Sequence, residues 1–179
     1  TWYQAVPATL HELLSYAKLH QIDTIKSSLR FIRSVAAPLS PQMMIELETL
    51  FKVPVIETYG MTEAAPLITS NPLPPGQRKH GSVGLSVGPE VAIMDKAGHL
   101  LPRGDIGEVV IRGDNVIGGY GKNQEANVQT FIHGWFRTGD QGYIDKDGYL
   151  FLKGRLKEII NRGGEKISPQ EIDKILLAH

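Results

Sequence analysis

The chain has 179 residues, 41% of them hydrophobic, with 19 Lys plus Arg against 19 Asp plus Glu. That is enough apolar material for a sizeable core, and the charge balance favours neither nucleic acid nor a membrane surface as partner. There is no cysteine, which excludes disulfides, thiolate metal sites and a cysteine nucleophile, and no apolar run approaches the roughly 20 residues of a membrane helix. The first residues do not form a signal peptide, so small-molecule chemistry in a reducing, cytoplasmic setting is expected.

In chain order, Thr9 followed by Glu12 predicts a capping box, and Leu10, Leu13, Leu14 and Ala17 continue it as a helix from Thr9 to His20. Leu29 to Val35 reads as a strand. Ser40 before Pro41 predicts a capped second helix with Met44, Leu47 and Phe51 on its buried face, and Val53 to Glu57 reads as the next strand. Strand, helix, strand suggests a parallel α/β layer whose ligands sit beyond the carboxyl ends of the strands. Ala36, Ala37, Pro38, Tyr59 and Gly60 fall there.

The run Asn71-Pro72-Leu73-Pro74-Pro75-Gly76 breaks this texture and marks a loop between units. Beyond it, Val87 to Met94 is expected to pair with Gly107 to Arg112, and Gly142 to Asp145 with Tyr149 to Leu152, making a small distorted barrel. A third unit follows, with Glu158 to Asn161 as a strand, Arg162-Gly163-Gly164 as its turn and Lys166-Ile167 as the return. A helix capped by Ser168 then begins at Pro169, with Ile172, Ile175 and Leu176 on its apolar side. The units are drawn at residues 1–80, 81–156 and 157–179.

The richest chemistry lies in Glu57-Thr58-Tyr59-Gly60-Met61-Thr62-Glu63. A ring can stack on a base, a threonine hydroxyl can donate to a phosphate oxygen, and a carboxylate can hold Mg²⁺. By itself the heptad reads more readily as a polar turn at a strand end. It is followed, in order, by Gly107-Glu108-Val109-Val110-Ile111-Arg112-Gly113, Gly118-Gly119-Tyr120, Trp135-Phe136-Arg137-Thr138-Gly139-Asp140, Gly154-Arg155-Leu156-Lys157 and Gly163-Gly164-Glu165-Lys166-Ile167.

This ordered set resembles the later part of the adenylate-forming enzymes, the superfamily of acyl-CoA synthetases, luciferases and peptide-synthetase adenylation domains, over almost the whole chain. The resemblance implies the C-terminal part of the large α/β and β-barrel domain, then a hinge and the start of a small α+β domain. It implies ATP, Mg²⁺ and coenzyme A as cofactors and a carboxylic acid as substrate. Since the family carries a phosphate loop upstream and a catalytic lysine near its C-terminus, and neither is found here, the chain is expected to be an excerpt of a longer polypeptide.

Residue by residue, the resemblance makes Glu63 the Mg²⁺ ligand, Thr62 the α-phosphate donor, and Tyr59 with Ala36, Ala37 and Pro38 the adenine slot, with Glu57, Thr58 and Gly60 in the same motif. Asp140 would accept from the ribose hydroxyls at a loop, Arg155 would be the second ribose contact, and Lys157 the hinge. Gly163 and Gly164 would let the pantetheine arm of CoA pass close to the backbone.

Ser34, Val35, Ala65 and Pro66 would wall the acyl pocket. The wording of Phe31 to Ser34, Ser70 to Pro74 and Ile159 to Pro169 is similar to the oxalate-CoA ligase branch of peroxisomal-type synthetases, so a small acid such as oxalate is favoured and a peroxisomal address is the alternative location. Gly60 and Pro66 stand where that branch commonly has alanine and histidine, and a proline side chain cannot donate to a second carboxylate. A CoA ligase for fatty or aromatic acids is the alternative, and a non-catalytic nucleotide-binding module is a second one.

Overall fold

Two large sheets of different character make up most of the fold. The computed structural model describes residues 1–162, 165–169, 172 and 176. The first sheet contains β1 (Tyr3–Ala5), β2 (Ile32–Ser34), β3 (Val55–Tyr59), β4 (Thr69–Ser70) and β5 (Leu85–Ser86), in that spatial order. β1, β2 and β3 are parallel, with Ser34 opposite Glu57, and β4 and β5 are added antiparallel. The parallel α/β layer is therefore present, although β2 is shorter than predicted. β3 begins after Pro54, which has no amide hydrogen to donate to the ladder, and continues to Tyr59.

Helices α1 (Pro7–Leu19) and α2 (Pro41–Phe51) cover this layer. The expected capping box does not start α1. Its N-cap is Val6, without a side-chain cap, and Pro7 in the first turn fixes the backbone two residues before Thr9. α2 begins as predicted, with Ser40 Oγ accepting from the Met43 amide at 3.1 Å. Leu10, Leu14 and Ala17 of α1 and Met44, Leu47 and Phe51 of α2 are buried against Ile32 and Val55. Such apolar stripes close the core on one face of the layer.

The second sheet holds β6 (Glu90–Met94), β7 (Leu100–Leu101), β8 (Gly107–Arg112), β9 (Phe131–Ile132), β10 (Trp135–Ile144) and β11 (Leu150–Arg155), with α3 (Gln124–Thr130) leading into β9. The order is β11-β10-β8-β6-β7 with β9 against β10, all antiparallel. This curled half-barrel is the predicted distorted barrel. The expected pairings hold, from Glu90 opposite Arg112 to Met94 opposite Glu108, and from Gly142 opposite Leu152 to Ile144 opposite Leu150.

A hairpin of β12 (Ile160–Arg162) and β13 (Glu165–Ile167) follows, as predicted. Gly163, Gly164 and most of the predicted final helix lie outside the described residues. The Ser168 hydroxyl, expected as that helix's cap, donates to the Lys153 carbonyl at 2.5 Å. Among the described residues no helix is long and apolar enough to cross a membrane.

Candidate active site

The carboxyl end of β3 delivers the heptad to the boundary between the sheets. Glu57 is buried and accepts from the Leu39 amide at 3.1 Å, so its carboxylate fastens the 35–39 loop to β3 rather than facing a ligand from an open turn. The Thr58 hydroxyl bridges the Arg33 Nε and the Ser34 carbonyl, at 3.5 and 3.4 Å. Ala36, Ala37 and Pro38 are exposed beside it, and Ala36 adopts a left-handed φ of 71°. Ser34 is buried, and its hydroxyl has no hydrogen-bond partner among the described residues.

After Gly60 the chain makes a short 3₁₀ turn, Thr62–Ala64, closed by Ala65 at φ 52°. Left-handed alanines cost energy that only surrounding structure can hold, and here one follows the predicted wall residue Val35, at Ala36, and the other is the predicted wall residue Ala65. Thr62 is exposed and Glu63 half-buried. The turn is gripped from the segment after β8. The Ile117 amide donates to the Glu63 carbonyl at 2.9 Å, and Asn115 Nδ2 donates to the Ala64 and Leu67 carbonyls at 3.0 and 3.3 Å.

Gly60 and Pro66, the two departures from the oxalate branch, prove to be in contact. A Cβ on Gly60 would sit 1.5 Å from the Pro66 carbonyl oxygen. Alanine at position 60 is therefore incompatible with this path of the 65–66 wall, which links the two positions physically.

Asp140 carries the clearest polar geometry. It was expected at a loop, but it lies inside β10, where the pairing with β8 shifts register between Arg137 and Gln141 and that with β11 shifts between Gln141 and Gly142. Bulges of this kind re-aim a side chain without ending the strand. The Tyr59 hydroxyl donates to Asp140 Oδ2 at 2.5 Å, and Arg155, directly opposite Asp140 in the ladder, brings Nε to 3.4 Å from Oδ1. Burial pushes the Asp140 pKa upward, and the charges of Glu158 and Glu108 add to that, against the pull of the Tyr59 hydrogen bond and of Arg155. Burial and the adjacent Asp140 charge push the Tyr59 hydroxyl well above its ordinary range, which keeps it a donor. An ionised carboxylate has about four acceptor sites, so two protein donors leave room for two ribose hydroxyls.

Glu108, within the Gly107–Gly113 motif, has a structural part in the fold. Its buried carboxylate accepts from Arg137 Nε at 2.7 Å and from the Gly139 amide at 3.0 Å, clasping the segment that carries Asp140. Thr138 completes the clasp by donating to the Val109 carbonyl and accepting from the Asp140 amide. Asn115 gave no signal in the sequence, because its two acceptors are backbone atoms some 50 residues away.

Lys157 is exposed in the turn between β11 and β12, where the Leu156 amide donates to the Gly139 carbonyl and the Glu158 amide to the Arg155 carbonyl. Gly163 and Gly164, expected beside the CoA path, lie outside the described residues. No group of three or more His, Cys, Asp or Glu able to hold a metal occurs among the described residues. A single carboxylate, Glu63, instead fits a Mg²⁺ that takes one or two protein oxygens and the rest of its shell from phosphates and water.

Comparison with known proteins shows which family the chain is similar to. A family model described as AMP-binding enzyme matches residues 1–121. A probable CoA ligase of Humulus lupulus is 55% identical over 100% of this chain and 34% of its own length. An oxalate-CoA ligase of Arabidopsis thaliana is 53% identical over 100% of this chain and 35% of its own length. Among solved structures, the O-succinylbenzoate coenzyme A synthetase of Bacillus subtilis, in complex with ATP and magnesium ion, superposes with a TM-score of 0.85 at 32% identity, covering all of this chain and 36% of that one. The chain thus spans about a third of the length of the curated relatives it matches. With the family model covering more than half of its residues, the chain belongs to the AMP-binding enzyme family.

Proposed function

We propose that the full-length protein is an ATP-dependent carboxylate-CoA ligase. The acid's carboxylate attacks the α-phosphorus of ATP and releases pyrophosphate, and the thiol of CoA then attacks the acyl carbon of the acyl adenylate and releases AMP. The observation that carries the reading is the Asp140 carboxylate, held between Tyr59 and Arg155 at a strand bulge with acceptor capacity to spare, on a chain whose relatives are named CoA ligases.

Asp140 and Arg155 would bind the ribose, Tyr59 and the 36–38 loop the adenine, and Thr62 the α-phosphate. Glu63 would hold Mg²⁺, which when bound offsets the triphosphate charge that repels an anionic nucleophile. Lys157 would be the pivot between a large domain ending at residue 156 and a small one beginning at 157, and Gly163 and Gly164 would border the CoA arm. Holding acid and nucleotide in line supplies most of the acceleration such a reaction needs. A cytoplasmic or peroxisomal setting suits these substrates.

For the acid, likeness to oxalate-CoA ligases favours oxalate. The pocket qualifies that choice, since Ala65 and Pro66 offer no side-chain donor to a second carboxylate. The test is AMP release by the full-length enzyme with ATP, Mg²⁺ and CoA across oxalate, malonate, hexanoate, octanoate and 4-coumarate. Selective turnover of oxalate is expected. A monocarboxylate preference would keep the mechanism and reject the acid, and ATP binding without turnover of any acid would reject the ligase reading itself.

A further inference from the structure

The hydroxyl of Tyr120 lies 3.1 Å from Glu63 Oε1, across 57 residues of sequence, and neither residue's motif suggests the pairing. Tyr120 is itself fixed. Its amide donates to Asn127 Oδ1 at 2.7 Å, and Asn127 Nδ2 donates back to its carbonyl at 3.1 Å, so an α3 side chain grips the backbone on both sides. Tyr120 packs on the cluster of Ala64, Ile68, Ile111 and Phe136, whose Ala64 belongs to the Thr62–Ala64 turn. Backbone, ring and hydroxyl are thus each held by a different contact, and the hydroxyl is aimed at one carboxylate oxygen.

We propose that Tyr120 is a positioning residue for the cation-binding carboxylate: by donating to Oε1 it orients Glu63 so that the carboxylate's remaining acceptor capacity meets Mg²⁺ on the nucleotide. Asn127 serves the same end by fixing Tyr120. This rests on the reading of Glu63 as the Mg²⁺ ligand and assigns the geometry that makes a lone, half-exposed carboxylate effective. A glutamate with three rotatable bonds otherwise spends its time among rotamers, and removing an outer-shell partner of a metal ligand typically lowers metal affinity about 10- to 100-fold.

The experiment uses the full-length enzyme and titrates Mg²⁺ at fixed ATP by calorimetry, comparing native, Tyr120→Phe and Glu63→Gln proteins. AMP binding is measured in parallel in EDTA. Tyr120→Phe keeps the ring and removes the donor. It is expected to raise the apparent Mg²⁺ constant about tenfold, at the lower end of outer-shell effects, while AMP binding without metal stays within twofold of native. Asn127→Ala is expected to shift the Mg²⁺ constant in the same direction. If Glu63→Gln shifts the Mg²⁺ constant and Tyr120→Phe does not, the positioning role is overturned and the ligand reading stands. If Glu63→Gln leaves the Mg²⁺ constant unchanged, the ligand reading fails and takes the positioning role with it. Equal loss of AMP binding and Mg²⁺ affinity in Tyr120→Phe would mark a merely structural contact and also overturn the proposal.

Discussion

Asp140 shows how a single side chain can be tuned by its burial. Burial raises its pKa above the ordinary aspartate value of about 3.9, whereas a ribose needs the ionised acceptor. As pH falls from neutrality through the raised value, the native protein takes up a proton there and AMP affinity is expected to drop, with the drop flattened in Asp140→Asn. The linkage to stability runs the other way. A folded-state pKa above the unfolded one means that native protein binds more protons between the two, so stability is lost as pH rises through that window. Asp140→Asn should therefore gain stability relative to native protein over the same interval, as urea unfolding at several pH values would show. Removing the acceptor altogether, in Asp140→Ala, should weaken AMP binding by roughly ten- to hundredfold, the equivalent of about 1.5–3 kcal/mol for a charge-assisted hydrogen bond. Unchanged affinity in a folded variant would remove Asp140 from the site.

Among the elements, β10 holds Asp140 and the turn after β11 holds Lys157. β10 is ten residues long and bulged, so one strand both packs Trp135 and Phe136 into the core and turns Asp140 toward Arg155 on β11. The short turn that follows has hydrogen bonds from the Leu156 and Glu158 amides, with Lys157 exposed between them. A pivot concentrates its dihedral change in very few residues, and proline locks φ at its own position while restricting the residue before it. Lys157→Pro in the full-length enzyme is therefore expected to leave pyrophosphate exchange, the measure of acyl-adenylate formation, within a few-fold of native. Thioester formation should fall at least about a hundredfold, as a conformational step lost rather than a contact weakened. Equal loss of both half-reactions would point to damage of the nucleotide site instead.

At the scale of the whole molecule, the loop of residues 71–84, which runs from β4 to β5 of the first sheet, reaches across to the second. Arg78 donates to Glu48 of α2 and to the Val55 carbonyl, while its neighbour Lys79 pairs with Asp145 and with Asp147 at the far hairpin. The Tyr149 hydroxyl donates to the Gln77 carbonyl, and Gly84 bridges Leu150. Neighbouring residues facing opposite sheets act as a strap. Lys79→Ala should loosen it locally, and faster amide exchange is expected in residues 77–83 and 146–149 with little change in α1 and α2, where apolar burial sets the protection. Exchange that rises equally throughout would show a global rather than a local role.

The α/β layer, the helix capped by Ser40 before Pro41 and the main strand pairings were legible along the chain, because periodicity, caps and turns are local properties. Misreadings were local too: Thr9 and Glu12 spell a capping box, but Pro7 starts the helix earlier, and Arg137-Thr138-Gly139-Asp140 spells a loop, but a bulged strand absorbs it. Which groups meet depends on the folded chain. Tyr59 on Asp140, Tyr120 on Glu63, Glu108 on Arg137 and the Gly60 backbone against Pro66 join residues up to 81 positions apart, apart from the local Gly60–Pro66 approach. Contacts of that kind depend on register, bulges and chain path, and a pattern read along one strand holds no information on the strand that will lie beside it.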